Sequence, residues 1–348
     1  SGGIEKFNKI GMPALFVMLV IIIIRALSLP GASEGLKFMF VPGYAVSAGF
    51  IDAQPDFVSV LATAGGQMFF SLSLAMGAMV TYGSYLDKKE NLPKNAGVIV
   101  FADTLVALMA GIAVIPAAVA NGIANGVAYS DISLSGPKLL FVTLQDVFSQ
   151  MGTFGPLFGV IFYALVLIAA ISSAISLMEV LATFFIDRAV AKGKTPNRTN
   201  VTIWVSIAIM VEACLVAVCC LGETGIAPAA LFGGEVKGWN DCWLDFMDCW
   251  SEGIAMPLGA MLMSLMIGWE LKPKYTLDEV HSGAQPGFFD KFFSFAIKFI
   301  CPIVMAFVLK GQICDSFQLV DEVPGYIISG VLLVAFWIVA IVSGKKKD

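Results

Sequence analysis

The sequence predicts an all-α polytopic membrane protein, and both its composition and its hydropathy pattern support this fold class. Of the 348 residues, 58% are hydrophobic and 14% are charged, a balance that excludes a soluble globular domain. Long apolar runs recur along the chain, and about 20 residues in a helix suffice to cross the hydrocarbon core of a bilayer. The chain is therefore expected to cross a membrane several times.

The apolar runs predict eight transmembrane helices, at residues 9–28, 58–83, 97–121, 154–188, 200–221, 243–270, 288–310 and 325–343. Basic residues are concentrated on one side of these spans, where Lys88, Arg188 and Lys272 lie, and are sparse in the opposite loops. The positive-inside rule then places both chain termini in the cytoplasm. We expect a multi-pass protein of the cytoplasmic membrane, whether plasma or inner.

Other function classes find little support in the composition. The net charge is -5 and the only basic block is Lys345–Lys347, so nothing indicates a nucleic-acid partner. One histidine and seven cysteines show no metal-ligand spacing. A disulfide among Cys242, Cys249 and Cys314 stays open, because connectivity cannot be read from sequence. No catalytic pair is predicted at membrane depth, so no enzyme is expected.

The first predicted helix carries Pro13 near its cytoplasmic end. A proline there removes a backbone hydrogen bond and weakens the first turns, although proline is also common where a helix starts. The next segment, residues 28–54, is rich in glycine and proline and is expected to lie outside the membrane.

The predicted function depends on the stretch Gly65–Tyr85, which overlaps the second predicted helix. It places Ser71, Ser73, Gly77 and Thr81 along a membrane-spanning stretch. Small and polar residues at this depth either line a cavity and let the backbone leave helical geometry, or allow close packing against neighbouring helices. The periodicity alone leaves both explanations open.

Motifs in this stretch occur in a recognisable order: Gln67, the run from Phe69 to Leu74, Gly77, Tyr82 and Tyr85. They resemble the sixth helix of the neurotransmitter:sodium symporter family, the sodium-dependent amino acid transporters. The resemblance implies a fold of two five-helix inverted repeats in which this helix is broken at the bilayer midplane. Gly3 and Pro13 match a pattern of the family's fifth helix that is linked to inward release. The chain would then be a fragment that starts at helix five, with the first four helices missing.

This resemblance also divides the chain into segments. Residues 1–56 would be the family's helix five and an outer loop. Residues 57–270 would be the second inverted repeat, family helices six to ten, with an outer capping loop at about residues 121–151. Residues 271–348 would hold two peripheral helices and a cytoplasmic tail.

The third predicted helix contains Asp103 a few residues inside an apolar stretch. A carboxylate at membrane depth is by default a functional candidate, although near the inner end it could also snorkel to the interface. The resemblance implies that Asp103 and Ser71 are ligands of a first sodium site. Ala107 stands where chloride-dependent members carry a serine, so chloride is not expected to be required.

Three serines lie close together in the fourth predicted helix, which is also explained by small-residue packing. The resemblance implies that Ala169, Ser172 and Ser173 form a second sodium site. It further implies a substrate pocket lined by Phe70, Ser71, Ser73, Met76, Ser173 and Leu177. The apolar members of this pocket favour a hydrophobic amino acid such as leucine, tyrosine or tryptophan.

At the start of the sixth predicted helix, Asp248 precedes Cys249 and Trp250. An acid beside an aromatic anchor is ordinary at a membrane edge. The resemblance instead implies an outer gate made by Asp248 and Gln67.

The function expected from these motifs is sodium-coupled symport of a hydrophobic amino acid by alternating access, with two sodium sites. A cation channel subunit could use the same serines and Asp103 as an ion path. A non-transporting scaffold or regulatory relative is the other alternative. The expected partners are the amino acid substrate and the lipid bilayer. The sequence does not decide whether the protein forms a homodimer.

Overall fold

The computed structural model describes residues 2–132, 134, 139–149, 151–220, 226–232, 239–281, 283, 287, 290–317, 319 and 321–345. Within these ranges the chain is helical, and no strand occurs in them. The α-helices in chain order are α1 Gly2–Leu27, α2 Ala32–Phe40, α3 Tyr44–Ser47, α4 Phe57–Ser71, α5 Ala78–Gly83, α6 Leu92–Ala124, α7 Leu144–Ser149, α8 Gly155–Ala191, α9 Arg198–Cys219, α10 Pro228–Phe232, α11 Trp243–Asp248, α12 Met256–Leu265, α13 Pro273–His281, α14 Asp290–Phe295, α15 Cys301–Ser316 and α16 Val323–Lys345.

Short 3-10 turns and π-helical stretches connect or extend several of these helices. The 3-10 turns are Tyr129–Asp131 and Gly152–Phe154. The π-helical stretches are Leu139–Thr143, Cys249–Ala255, Met266–Glu270 and Ala296–Ile300. The last three lie inside apolar spans, where π-helical turns often mark functional sites.

Seven helical segments of the described chain are long and apolar enough to cross a membrane, whereas the sequence predicts eight. They are Lys9–Leu27, Leu92–Ala124, Gly152–Ala191, Arg198–Cys219, Trp243–Glu270, Asp290–Ser316 and Val323–Gly344. Each of the seven coincides with a predicted helix, apart from shifts at the ends. The eighth predicted span, residues 58–83, is divided between α4 and α5, and neither part is long enough to span alone. The eighth predicted helix is therefore not confirmed as a single span, and it is the helix in which the family resemblance implies a break.

Helix α1 runs through Pro13 as a single helix from Gly2 to Leu27. The weakening that the sequence predicts at this proline does not interrupt the helix. A proline removes one backbone hydrogen bond, and the remaining bonds of a long apolar helix can carry the chain past it.

The chain forms two compact units, which we describe separately. One comprises residues 1–55 and 100–176, and the other comprises residues 56–99 and 177–348. In the first unit, α1 packs on α6, α7 and α8 through an apolar cluster of Met18, Leu19, Ile22, Ala113, Leu144, Phe148 and Phe162. These two units do not correspond to the three predicted segments 1–56, 57–270 and 271–348, and the assignment of those segments to family helices stays a prediction.

The predicted outer capping loop at residues 121–151 contains short helical pieces in its described part, including α7. In α7, Leu144, Val147 and Phe148 are buried. Asn121 donates a hydrogen bond from Nδ2 to Asp146 Oδ2 at 3.0 Å, which ties the end of α6 to α7. Residues 133, 135–138 and 150 of this loop lie outside the described residues.

In the second unit, α12, α15 and α16 pack together around Met261, Leu265, Ala306 and Ala340. A neighbouring cluster of Phe69, Met256 and Val308 attaches α4 to α12 and α15. These two clusters place the interruption between α4 and α5 beside the most tightly packed helices of the unit.

Candidate functional site

The chain leaves helical geometry between Ser71, where α4 ends, and Ala78, where α5 begins. Three residues of this segment have positive φ: Ser73 at 53°, Ala75 at 61° and Gly77 at 82°. A left-handed conformation is easy for glycine and costs other residues about 1–2 kcal/mol each. Such strain persists where surrounding structure enforces it, and it is typical of functional sites. The interruption that the resemblance implies in this helix is therefore present.

Packing on both sides of the break holds it in place. Phe69, which is 2% exposed, is buried with Met256 and Val308, and Leu74, Ala75 and Met76 pack against this cluster. Gly259 of α12 faces the Ala75 carbonyl so closely that a Cβ at position 259 would lie 3.3 Å from that oxygen. At the start of α5, a Cβ on Gly77 would lie 3.2 Å from Val180 Cγ1.

Small residues let α4 approach α15 closely. A Cβ at Gly65 would lie 2.7 Å from Val308 Cγ2, and a Cβ at Gly66 would overlap the side-chain amide of Gln312. Across the same interface, a Cβ at Gly311 would overlap the methyl group of Ala62. The half of the broken helix that precedes the break is thus fixed against α15.

The structure places the predicted pocket residues of the broken helix at and around the break. Phe70 is 53% exposed and Ser71 is exposed, whereas Ser73 and Met76 are half-buried. The neighbouring Phe69, rather than Phe70, fills the core. Phe70 and Ser71 are thereby left on the surface of the second unit. The other two predicted pocket residues, Ser173 and Leu177, lie exposed on α8.

The predicted second sodium site gathers three oxygen-bearing groups on one turn of α8. Ser172 donates a hydrogen bond from its Oγ to the Ala169 carbonyl at 2.8 Å, and Ser173 donates to the same carbonyl at 3.2 Å. A hydroxyl that donates its proton still has two lone pairs. The three groups therefore form a local cluster of hard oxygen atoms, as sodium prefers.

Asp103 lies on α6 and is half-buried, with Ala107 exposed one turn later. Asp103 belongs to the first unit and Ser71 to the second. Their joint role in one sodium site stays a prediction.

Both predicted outer-gate residues, Gln67 on α4 and Asp248 at the end of α11, are exposed. The sequence prediction overlooked Glu252, which lies one turn after Asp248 in the π-helical stretch and interacts with its carboxylate. A second carboxylate at i+4 in a membrane span is the signal that could have pointed to it.

The sequence prediction also overlooked a polar network beside α5. Tyr85 donates a hydrogen bond to Glu179 Oε1 at 3.0 Å, and Arg198 pairs with the same carboxylate at 2.5 Å. Glu179 lies inside a predicted membrane span, so a charged residue in an apolar helix is the feature of the sequence that could have indicated this network. The network connects the end of the broken helix to α8 and α9 within the second unit.

All seven cysteines are free thiols, including Cys242, Cys249 and Cys314. The sequence shows no metal-ligand spacing, but the fold brings ligand atoms of Asp241, Cys242 and Asp245 within 4.8 Å of one another. Burial raises the pKa of the Cys242 thiol to about 11. At neutral pH Cys242 is therefore protonated, and its thiol donates a hydrogen bond to Asp245 Oδ2 at 3.1 Å.

Comparison with known proteins shows which family the motifs belong to. A family model described as the sodium:neurotransmitter symporter family matches residues 2–343. The chain belongs to this family. The sodium-dependent transporter YhdH of Bacillus subtilis is 34% identical over 314 residues, which cover 89% of this chain and 62% of the relative. A sodium-dependent transporter of Haemophilus influenzae is 31% identical over 314 residues, covering 90% and 61%.

Among solved structures, MhsT in complex with L-phenylalanine superposes on this member of the symporter family with a TM-score of 0.70 and 34% sequence identity. The match covers 89% of this chain and 63% of MhsT. The chain thus spans a little over 60% of the length of these relatives. These coverages give lengths only, so a start at the family's fifth helix stays a prediction. The family is one of transporters rather than enzymes, and this member is a multi-pass membrane protein.

Proposed function

We propose that the protein takes part in sodium-coupled symport of a hydrophobic amino acid across the cytoplasmic membrane by alternating access. The observation that carries this proposal is the interruption of the membrane-spanning stretch between α4 and α5, with left-handed backbone at Ser73, Ala75 and Gly77. A helix interrupted within an apolar stretch presents backbone groups that substrates and coupling ions use in transporters of this kind.

The second sodium site of this proposal consists of the Ala169 carbonyl and the hydroxyls of Ser172 and Ser173. Support comes from the hydrogen bonds that already bring these three groups together on one turn of α8. A hard cation would coordinate these three oxygens once the two hydroxyl protons turn away from the Ala169 carbonyl.

The first sodium site consists of Ser71 and Asp103. Asp103 supplies a fixed negative charge inside an apolar span, where such a charge is costly unless it is used. Because Ala107 offers no hydroxyl for an anion, transport would proceed without chloride.

The substrate pocket is assigned to Phe70, Ser71, Ser73, Met76, Ser173 and Leu177. Three of these side chains are apolar, which suits the side chain of leucine, tyrosine or tryptophan. That MhsT is seen with L-phenylalanine supports the same class of substrate. Gln67 and Asp248 would close the outer side, and unwinding near Gly3 and Pro13 would open the inner side. Both chain termini would lie in the cytoplasm.

The test is equilibrium binding of radiolabelled leucine and tryptophan in sodium buffer and in matched potassium buffer. It uses two purified proteins in parallel, the 348-residue chain and a version extended upstream by the four family helices that the resemblance places before α1. We expect binding only in sodium and only in the extended protein, since the resemblance implies that the first of the added helices contributes to both sodium sites.

Three outcomes would contradict parts of this proposal. Binding by the 348-residue chain alone would show that the site is complete without further helices. Binding that is unchanged in potassium would remove the coupling to sodium. Absence of binding for every hydrophobic amino acid, together with sodium currents in vesicles, would favour the cation channel, and absence of both would favour a scaffold.

A further inference from the structure

A basic cavity of about 440 Å³ lies in the second unit where α13 follows the span Trp243–Glu270. Three lysines line this cavity, Lys272, Lys274 and Lys298, together with a single acid, Asp278. Among these side chains Lys274 and Lys298 outnumber the single acid, so positive charge is in excess even when Lys272 is not counted. The chain has 21 basic residues and a net charge of -5, so three lysines around one small cavity are a local concentration.

His281 also lines the basic cavity, but it does not add to this imbalance. Its Nε2 is 3.0 Å from Asp290 Oδ2, and Asp290 also accepts a hydrogen bond from the Gly287 amide. Asp290 thus lies directly against the His281 ring. The excess positive charge comes from Lys274 and Lys298.

Lys298 is held in position by the neighbouring span. Trp269 donates a hydrogen bond from Nε1 to the Lys298 carbonyl at 3.2 Å, and the Lys298 ammonium lies 5.5 Å from the centre of the Trp269 ring. A Cβ on Gly268 would lie 3.1 Å from Lys298 Cα, so the two backbones are in close contact. The backbone of Lys298 is therefore held in place. Binding an anion at its ammonium group then costs less conformational entropy.

A second cavity adjoins the basic one and shares Leu277 and His281 with it. Its volume is about 600 Å³, and most of its other lining residues are apolar: Leu92, Pro93, Ala96, Val280 and Phe293. The pair of cavities thus offers a cationic compartment next to an apolar one. Both lie at the predicted cytoplasmic ends of membrane spans.

We propose that the paired cavities bind one phospholipid with an anionic headgroup. The headgroup phosphate pairs with Lys274 and Lys298 in the basic cavity, and part of an acyl chain occupies the apolar cavity. Basic pockets between membrane helices on the cytoplasmic side are suited to anionic headgroups, and that leaflet is where anionic lipids are concentrated. The apolar compartment favours a lipid over a free phosphate ion, because a soluble anion has no group to fill it.

The experiment measures lipid binding to the 348-residue chain by native mass spectrometry and by thermal stability in detergent. Phosphatidylglycerol, phosphatidylcholine with the same acyl chains, and inorganic phosphate are added separately. The variants are Lys274→Gln, Lys298→Gln and the charge-keeping Lys298→Arg. Lys291→Gln is the matched control, because Lys291 is exposed on the adjacent α14 but does not line the cavity.

We expect phosphatidylglycerol to bind and stabilise the wild type, with each lysine-to-glutamine change in the cavity weakening binding about fivefold. Lys298→Arg and Lys291→Gln should bind as the wild type does. Equal binding of phosphatidylcholine would overturn the assignment of an anionic headgroup. Stabilisation by inorganic phosphate alone would show a free-anion site, and an equal loss in Lys291→Gln would show general surface attraction. None of these readouts depends on amino acid binding, so the result is independent of the proposed transport function.

Discussion

Tyr85 donates a hydrogen bond to Glu179 at 3.0 Å, although 94 residues separate the two in the sequence. The same carboxylate pairs with Arg198, the first residue of α9. One acidic side chain on α8 therefore connects Tyr85, two residues after the end of α5, to a second spanning helix. The second half of the broken helix is attached at this point.

Removal of the Tyr85 hydroxyl should loosen α5 without unfolding the protein. In Tyr85→Phe the ring is kept and Glu179 still pairs with Arg198, so only one hydrogen bond is lost. Because Tyr85 and Arg198 are exposed and Glu179 is only partly buried, we expect a local effect of about 1 kcal/mol or less. Hydrogen exchange followed by mass spectrometry should show up to about fivefold faster exchange in α5.

The matched control is Tyr82→Phe, in which a partly exposed tyrosine of α5 itself loses its hydroxyl. This variant should exchange at the wild-type rate. If both variants accelerate exchange equally, the Tyr85–Glu179 bond does not fix α5.

The paired hydroxyls on α8 give a test of the second sodium site in whichever protein binds amino acid in the experiment proposed above. Ser172→Ala or Ser173→Ala removes one proposed ligand, and we expect the sodium concentration for half-maximal amino acid binding to rise about tenfold. Ser176→Ala is the control, since Ser176 donates a comparable intrahelical bond to the Ser172 carbonyl at 3.0 Å but is not a proposed ligand. Equal effects at Ser172 and Ser176 would attribute both to helix packing.

The charge of Asp103 can be separated from its size. Asp103→Asn keeps the shape and one carbonyl oxygen, so a loss of sodium-dependent binding would report the charge. We expect about a tenfold or larger loss of sodium affinity, and no dependence of the wild type on chloride when gluconate replaces it. Thr104→Ala, which removes an exposed hydroxyl bonded within the same helix, should have little effect. A chloride requirement in the wild type would contradict the role assigned to Asp103 and Ala107.

The sequence predicted the class of fold and seven of its spans, because long apolar runs determine where a chain crosses a bilayer. It located the break only through the resemblance. Both Ser73 and Ala75 lie within an apolar run, and the segment that contains their left-handed backbone packs against residues distant in sequence, Met256 and Gly259.

Contacts between distant segments account for what the sequence did not reveal. Glu179 appears in the sequence as one acid inside an apolar run, and its partners Tyr85 and Arg198 are found only after folding. Lys274 and Lys298 likewise belong to different helices, and the cavity that joins them depends on the turn after residue 270. The sequence shows that these charged residues exist, but it does not show which residues they contact in the folded protein.

The high pKa of Cys242 predicts low thiol reactivity. Only the thiolate reacts with maleimides, and a pKa of about 11 leaves very little thiolate at pH 7. N-ethylmaleimide labelling followed by peptide mass spectrometry should modify the exposed Cys220 much faster than the buried Cys242. As pH rises toward 11 the thiolate fraction of Cys242 grows, so its labelling should increase with pH over this range. Rapid labelling of Cys242 at pH 7 would mean that its surroundings are open to solvent.

The close approach of α4 and α15 predicts different costs for three glycine-to-alanine substitutions. In Gly311→Ala the new methyl group meets the buried Ala62, which cannot move unless the helices separate, so we expect about 1–3 kcal/mol of destabilisation. In Gly66→Ala it meets the end of the Gln312 side chain, which can rotate away, and the loss should be smaller.

Gly83→Ala is the control for this series, because nothing lies within 4 Å of the added methyl group. That substitution should be neutral or slightly stabilising, since alanine favours helix more than glycine does. Thermal unfolding of the 348-residue chain in one detergent would rank the three. A Gly311→Ala protein as stable as Gly83→Ala would show that α4 and α15 are not in close contact. The packing that positions the broken helix would then have to lie elsewhere, at Gly259 and Ala75.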